Sequence, residues 1–175
     1  ACVPVSASLT IRADDQFEVY LNTFLVFESV SIGGSAKDTY TIPVNLSYLL
    51  TDRDNVIAVT AYNTACCNID VQYCLTLNCS DGSTLYIMAD GSNTYSFYNG
   101  MASSIPTFLP GWTDPCFDDS GWQGVSVTSG PCHPSLPNLS CNGTNTSIHA
   151  PAGCGVPNVD DIWSFRDHFC LGTCA

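Results

Sequence analysis

Apolar and polar positions alternate along this chain in short runs with a period of two. In "FEVYLN", residues 17–22, Phe17, Val19 and Leu21 share one face while Glu18, Tyr20 and Asn22 share the other, the signature of a half-buried strand. The runs "SLTIRA", "TYTIPV", "NVIAVTAYN", "DVQYCLTLNC", "STLYIMA", "TYSFYN", "WQGVSVTSG" and "IWSFRDHFCL" read the same way. No window sustains the apolar repeat of a helix. Clusters such as "IGGSAKD", "TDRDN" and "ADGSN" separate the runs and supply turns. Many short strands so spaced predict an all-β fold, an antiparallel β-sandwich or jelly roll. With no tandem repeat and no boundary, residues 1–175 are expected to form one domain around one sizeable core.

One stretch breaks the pattern. Residues 129–158, "SGPCHPSLPNLSCNGTNTSIHAPAGCGVPN", are rich in Pro, Gly and Cys. Loops that long are functional or tied down, and Cys132, Cys141 and Cys154 predict a stapled one.

The eleven cysteines, Cys2, Cys66, Cys67, Cys74, Cys79, Cys116, Cys132, Cys141, Cys154, Cys170 and Cys174, are disulfide candidates and point to an oxidising compartment. Structural zinc calls for repeated close Cys pairs, a spacing this chain lacks. The neighbours Cys66 and Cys67 are expected to bridge to two different places. Because eleven is odd, one thiol is expected to be free, capped or joined to another chain. Five sequons, at Asn45, Asn78, Asn138, Asn142 and Asn145, fit the same secretory route, and the last three would make the 129–158 loop a glycan cluster. The opening "ACVPVSASLTI" has no charged start and no Met, so Ala1 is read as a processed N-terminus. No apolar run approaches the roughly 18 to 20 residues that span a bilayer. A secreted, extracellular glycoprotein without membrane insertion is therefore expected.

Charge narrows the partners. Four Lys and Arg oppose sixteen Asp and Glu, for a formal net charge of −12. Phosphate binding draws its affinity from Lys and Arg, so nucleic acid and anionic membranes are poor partners. Charged residues make up only 11% of the chain, against about 25% in ordinary domains, which leaves Ser, Thr, Asn and Gly to cover much of the surface.

Three runs, in order, resemble a known family. "LTIRADDQFEVYLN" resembles an A-D-D-x-F-x-V-Y-x-N strand pair, "YTIPVNLSYLLTDRDNVIAVTAYN" resembles a strand, short turn and N-V-I-A-V strand, and "GWTDPCFDDSGWQGV" resembles a W…F-D-D-S-x-W segment. Together they resemble galactose-binding-domain-like jelly rolls of the carbohydrate-binding-module type, which also accompany glycosidases. The resemblance covers about half the chain and departs from the family at Thr23, where many members have Gly. It implies that Asp118 and Asp119 are turn residues bonded to nearby amides before a core strand, with Trp122 packed inward. Asp14 and Asp15 are read alike, as acids closing a turn before "FEVYLN".

The order of one element is unusual. "DIWSFRDHFCLG" resembles a W-x-F-R-x-x-F-x-L strand that in many such jelly rolls precedes the A-D-D strand, whereas here it comes last. A C-terminal strand at about 161–171, carrying Trp163, Phe165, Phe169 and Leu171, can fold back as a circular permutation. It can instead be donated to a neighbouring subunit by strand addition, or the chain is one unit of a tandem array. A strand passed forward is a heterologous contact, and such contacts build filaments when the rotation does not close.

Catalytic patterns are weak. His133, His149 and His168 stand in no nucleophile motif; the adjacent Asp118 and Asp119 would diverge if extended, and the only Glu pair, Glu18 and Glu28, lies in strands. No cofactor motif is present, and no enzyme is expected. Jelly rolls of this kind often carry a structural calcium, for which residues 52–55, with Asp52 and Asn55, and the pair Asp160 and Asp161 are candidates. The expected function is a non-catalytic structural subunit of an extracellular filament or surface fibre, whose partner is itself, head to tail. The alternative is a lectin-like module, with Trp112, Tyr95 or Tyr98 stacking on glycans.

Overall fold

A computed structural model describes residues 2–30, 38–64, 69–103, 106–128, 139, 141–142, 147–149 and 161–171. The strands are β1 Pro4–Asp14, β2 Gln16–Leu21, β3 Phe24–Glu28, β4 Tyr40–Pro43, β5 Asn55–Tyr62, β6 Asp70–Cys79, β7 Thr84–Met88, β8 Thr94–Met101, β9 Gln123–Gly124, β10 Ser126–Thr128, β11 Ser147–His149 and β12 Asp161–Phe169, with a 3-10 turn at Leu46–Tyr48. They form two six-stranded antiparallel sheets. The first has the order β10-β11-β6-β1-β4, with β7 also on β6; the second has the order β3-β2-β5-β12-β8-β9. The all-β antiparallel sandwich expected from the alternation is the fold observed.

The period-two pattern explains the core. Leu9, Ile11 and Ala13 of β1 and Val71, Tyr73, Leu75 and Leu77 of β6 face Phe17, Val19 and Leu21 of β2, Ile57, Val59 and Ala61 of β5 and Phe165 of β12 in one buried cluster. Burying such side chains contributes roughly 1.5–3 kcal/mol each. Strand β6 runs over 70–79, the span the alternation indicates.

The β2–β3 hairpin accounts for the departure at Thr23. Asn22, not its neighbour, takes the left-handed conformation, with φ 55, which Asn tolerates better than most residues. Its Oδ1 accepts from Val56 N at 2.9 Å and its Nδ2 donates to Asn55 Oδ1 at 3.1 Å. Glycine is therefore not required at position 23.

Two strands carry no alternation to predict them. Strand β3, "FLVFE", is nearly all apolar because it closes the edge of its sheet with Phe24 and Leu25 exposed. Strand β11 lies inside the loop expected to be irregular, held by pairing of Ile148 with Val71 and His149 with Asp70. The nearby Cys74–Cys141 disulfide staples the same region, as the cysteines of that loop suggested. A second disulfide, Cys2–Cys79, ties the start of β1 to the end of β6. Cys170 is also disulfide-bonded, and Cys116 is free and exposed. Cys66, Cys67, Cys132, Cys154 and Cys174 lie outside the described residues, as do Asn138 and Asn145. No helix among the described residues is long and apolar enough to cross a membrane; with the disulfides, this is compatible with an extracellular protein.

Candidate functional site

The site is the slot that holds β12. The last strand in sequence is a central strand of its sheet, paired with β5 from Ile162 opposite Tyr62 to Phe169 opposite Asn55, and with β8 from Asp161 opposite Met101 to Asp167 opposite Thr94. Phe165 and Leu171 are buried, while Trp163 and Phe169 pack on the core more shallowly. In this structure the strand closes its own sandwich. Its far end also meets the beginning of β1, because Cys2 N donates to Leu171 O at 3.2 Å.

Strand β12 alternates like the rest. Trp163 and Phe165 point inward, so Ser164, Arg166 and His168 point outward. There the turn spanning 112–122 covers them, and it answers what the two adjacent aspartates do. Asp119 Oδ2 accepts from Arg166 Nε at 2.7 Å and lies 2.8 Å from His168 Nε2. Arg166 Nη1 donates to the carbonyls of Trp112 and Asp114. The guanidinium carbon lies 5.1 Å from the centroid of Phe117 and 5.9 Å from that of Trp122, within cation–π reach. Arg166 is 0% exposed and Asp119 14%. Burial alone would raise the Asp119 carboxyl, but the bonds from His168 and Arg166 outweigh it and hold the carboxyl below its usual range.

Asp118 behaves as the turn reading predicted. It is exposed and its Oδ1 accepts from Ser120 N at 3.1 Å; the bond from the Ser120 side chain, then that from its backbone N–H, lowers its pKa. Two implications of the resemblance are corrected. Asp119 is not a local turn acid but a partner of a strand 47 positions away. Trp122 does not enter the core; it stacks on Trp112 at 6.2 Å and lies over Arg166, because the turn leads into the short, exposed edge strand β9 and not into a core strand.

Asp15 stands at the bend between β1 and β2, but its carboxylate accepts from Thr64 N at 2.8 Å and from Thr64 Oγ1 at 3.0 Å, 49 positions away, and so ties that bend to the end of β5 where a local turn contact was expected. Asp14 instead ends β1 as a buried residue beside Arg12 and Asp70, and burial, then Asp15, push it up to about 8. On the inner face of β12, burial raises Asp167 to about 6 against the bond from Tyr73. Both carboxyls hold protons more tightly folded than unfolded. Their favourable contribution is complete below about pH 4 and is lost as the pH rises through about 6 for Asp167 and about 8 for Asp14. The melting midpoint is therefore expected to fall between pH 5 and pH 8. Asp167→Asn should roughly halve that slope below about pH 6, where Asp14 still contributes, and leave it unchanged above. An unchanged slope in the variant would contradict the assignment.

The other sequence candidates fall apart from one another. Asn45 caps the 3-10 turn, accepting from Ser47 N at 3.0 Å; Asn142 is exposed; Asn78 donates to Ser6 Oγ at 2.8 Å. Asn55 is engaged with Leu50 and Asn22, and Asp161 accepts from Tyr98. Asp160 and His133 lie outside the described residues. Among the described residues no group of three or more His, Cys, Asp or Glu could hold a metal ion. Glu18 and Glu28 stand opposite each other on β2 and β3. Of the aromatics, Trp112 packs edge-on against Tyr20 and Tyr95 against His168, whereas Tyr98, 45% exposed, borders a cavity of about 200 Å³ with Phe97, Trp122, Trp163, Ser96 and Gln123. The indole Nε1 atoms of Trp122 and Trp163 are buried without a partner among the described residues.

No family model and no curated protein matches the chain. Among solved structures it is similar to the crystal structure of Streptomyces avermitilis α-L-rhamnosidase complexed with L-rhamnose, with a TM-score of 0.54 and 14% identity over 97% of this chain and 20% of that one. The chain thus spans about a fifth of that enzyme's length, and the likeness is one of fold. The chain has the antiparallel two-sheet β-sandwich that its alternation predicts, a fold consistent with the family its motifs resemble.

Proposed function

We propose that the chain is a non-catalytic structural subunit of an extracellular filament or surface fibre, assembled head to tail with β12 of one subunit in the slot of the next. The observation that supports this reading is the position of β12, last in sequence yet central in its sheet. Between His149 and Asp161 run the eleven residues 150–160, enough chain to extend up to about 36–40 Å. The same ladder, core contacts and Asp119 clamp form whichever subunit supplies the strand, so exchange costs little beyond chain entropy. Because the end of β12 meets the start of β1, a donated strand would lay one subunit's end on the next subunit's first strand.

Negative-stain electron microscopy of the native, unreduced protein tests it. Filaments with an axial repeat near one domain's length are the expected result, and dispersed monomers would overturn it. The second reading, a carbohydrate-binding module, would then lead. It is favoured by the aromatic cavity at Tyr98, lined by the rings of Phe97, Trp122 and Trp163, since sugars offer apolar faces that stack on such rings. A fold shared with an enzyme bound to L-rhamnose lends it class-level support only.

A further inference from the structure

The alternation of β12 leaves its register only half determined. A slip of one residue is forbidden, since it would turn Phe165 outward and Arg166 into the core. A slip of two preserves every inward and outward assignment; on the inner face only the bond of Asp167 with Tyr73 opposes it, since the rest of the slot is apolar. The outer face opposes it with more contacts. Asp119 Oδ2 and the carbonyls of Trp112 and Asp114 converge on one guanidinium that lies against the rings of Phe117 and Trp122. Every polar atom aimed at it is an acceptor. A two-residue slip would seat Ser164 or His168 there instead, leaving those acceptors poorly satisfied and carrying the arginine away from its counter-charge.

We propose that the 112–122 turn is a register key, which admits β12 only with an arginine at position 166 and so selects the strand a subunit accepts. Where the strand comes from a second copy of the chain, this rests on the assembly reading above; the register itself does not. The key reads a planar fork, because both Nε and Nη1 are bonded and the plane lies against aromatic rings. Lysine is therefore not an equivalent key. Among the described residues the other two basic ones do not compete: Arg12 is buried in the opposite sheet and Arg53 is exposed beside Asp52.

The test uses the full chain, isotope-labelled, with Arg166→Lys, Arg166→Met and the double variant Ser164→Arg with Arg166→Ser, which moves the arginine by one outward position. Native protein should show one set of β12 amide signals, with Phe165 opposite Val59 and Ser96. Arg166→Met should show additional sets from slipped registers, and the double variant should move as a whole to the register two residues away. An arginine with a merely structural role would lower the melting midpoint and leave Phe165 opposite Val59, and that result overturns the proposal. Arg166→Lys, which keeps charge and length, reads the same signals if the methionine variant fails to fold. In subunit mixing at equilibrium, labelled Arg166→Met chains should be retained in native filaments about ten- to a hundred-fold less, the loss expected for charge-assisted hydrogen bonds. Equal incorporation overturns the selection of partners. If native chains form no filaments, the assembly reading fails while the register measurement still decides the key.

Discussion

A chain ending at residue 159 is expected to lose cooperative folding and all assembly. The deletion removes a strand that pairs on both sides, so β5 and β8 would each present an unpaired edge where the sheet is now continuous. Phe165 and Leu171 leave the core, and the 112–122 turn loses the arginine around which its aromatic rings are arranged. Removing one large buried aromatic already costs about 3–5 kcal/mol, and a domain's whole margin is about 5–15 kcal/mol. Loss of the ladder and the clamp together exceeds it. Circular dichroism on heating should show no sharp transition for the truncated chain alone. Adding a peptide of residues 159–171 should restore one, because the slot is assembled from residues the truncated chain retains. A truncated chain that melts like the native one, or still forms filaments, would remove β12 from the centre of both the fold and the assembly.

Strand positions were legible where one face of a strand is wet and the other dry. Strand β2 is of that kind, and alternation alone placed Phe17, Val19 and Leu21 on the core side; in β6, buried on both faces over 70–75, the alternation still placed Val71, Tyr73 and Leu75 in the core. The signal fades at β3, an edge strand apolar on both faces, and at β11, whose three residues are held by β6 and by a neighbouring disulfide. The clamp was legible only in halves. Asp119 and Arg166 each belong to a motif quoted from the sequence, but local pattern carries no information about partners 47 positions apart. One clue was present: Arg166 sits between Phe165 and Asp167 in a strand, in a chain with four basic residues. An arginine committed to a core strand requires a counter-charge, and the only paired acids in an aromatic turn are Asp118 and Asp119. Sequence does not say which of the two answers it.

The two neighbours should separate cleanly under substitution. Asp119→Ala leaves a fully buried guanidinium without its carboxylate. Breaking a buried pair from one side costs about 3–5 kcal/mol; because Asp119 retains 14% exposure, the lower end is expected. For a domain of this size that is a fall in melting midpoint of about 6–12 °C. Asp118→Ala removes a bond to Ser120 on the surface and should leave the midpoint close to native. Sign and pH range follow from Asp119 being held below its usual range. Its contribution is complete above the unfolded value near pH 4 and disappears as the pH falls through the lower folded value. The native and Asp119→Ala curves should therefore converge in strong acid. Arg166→Met made together with Asp119→Ala should be no less stable than Asp119→Ala alone, since the methionine leaves no charge to compensate. Losses that simply add, or equal losses from Asp118→Ala and Asp119→Ala, would show that Asp119 does not hold β12 through Arg166.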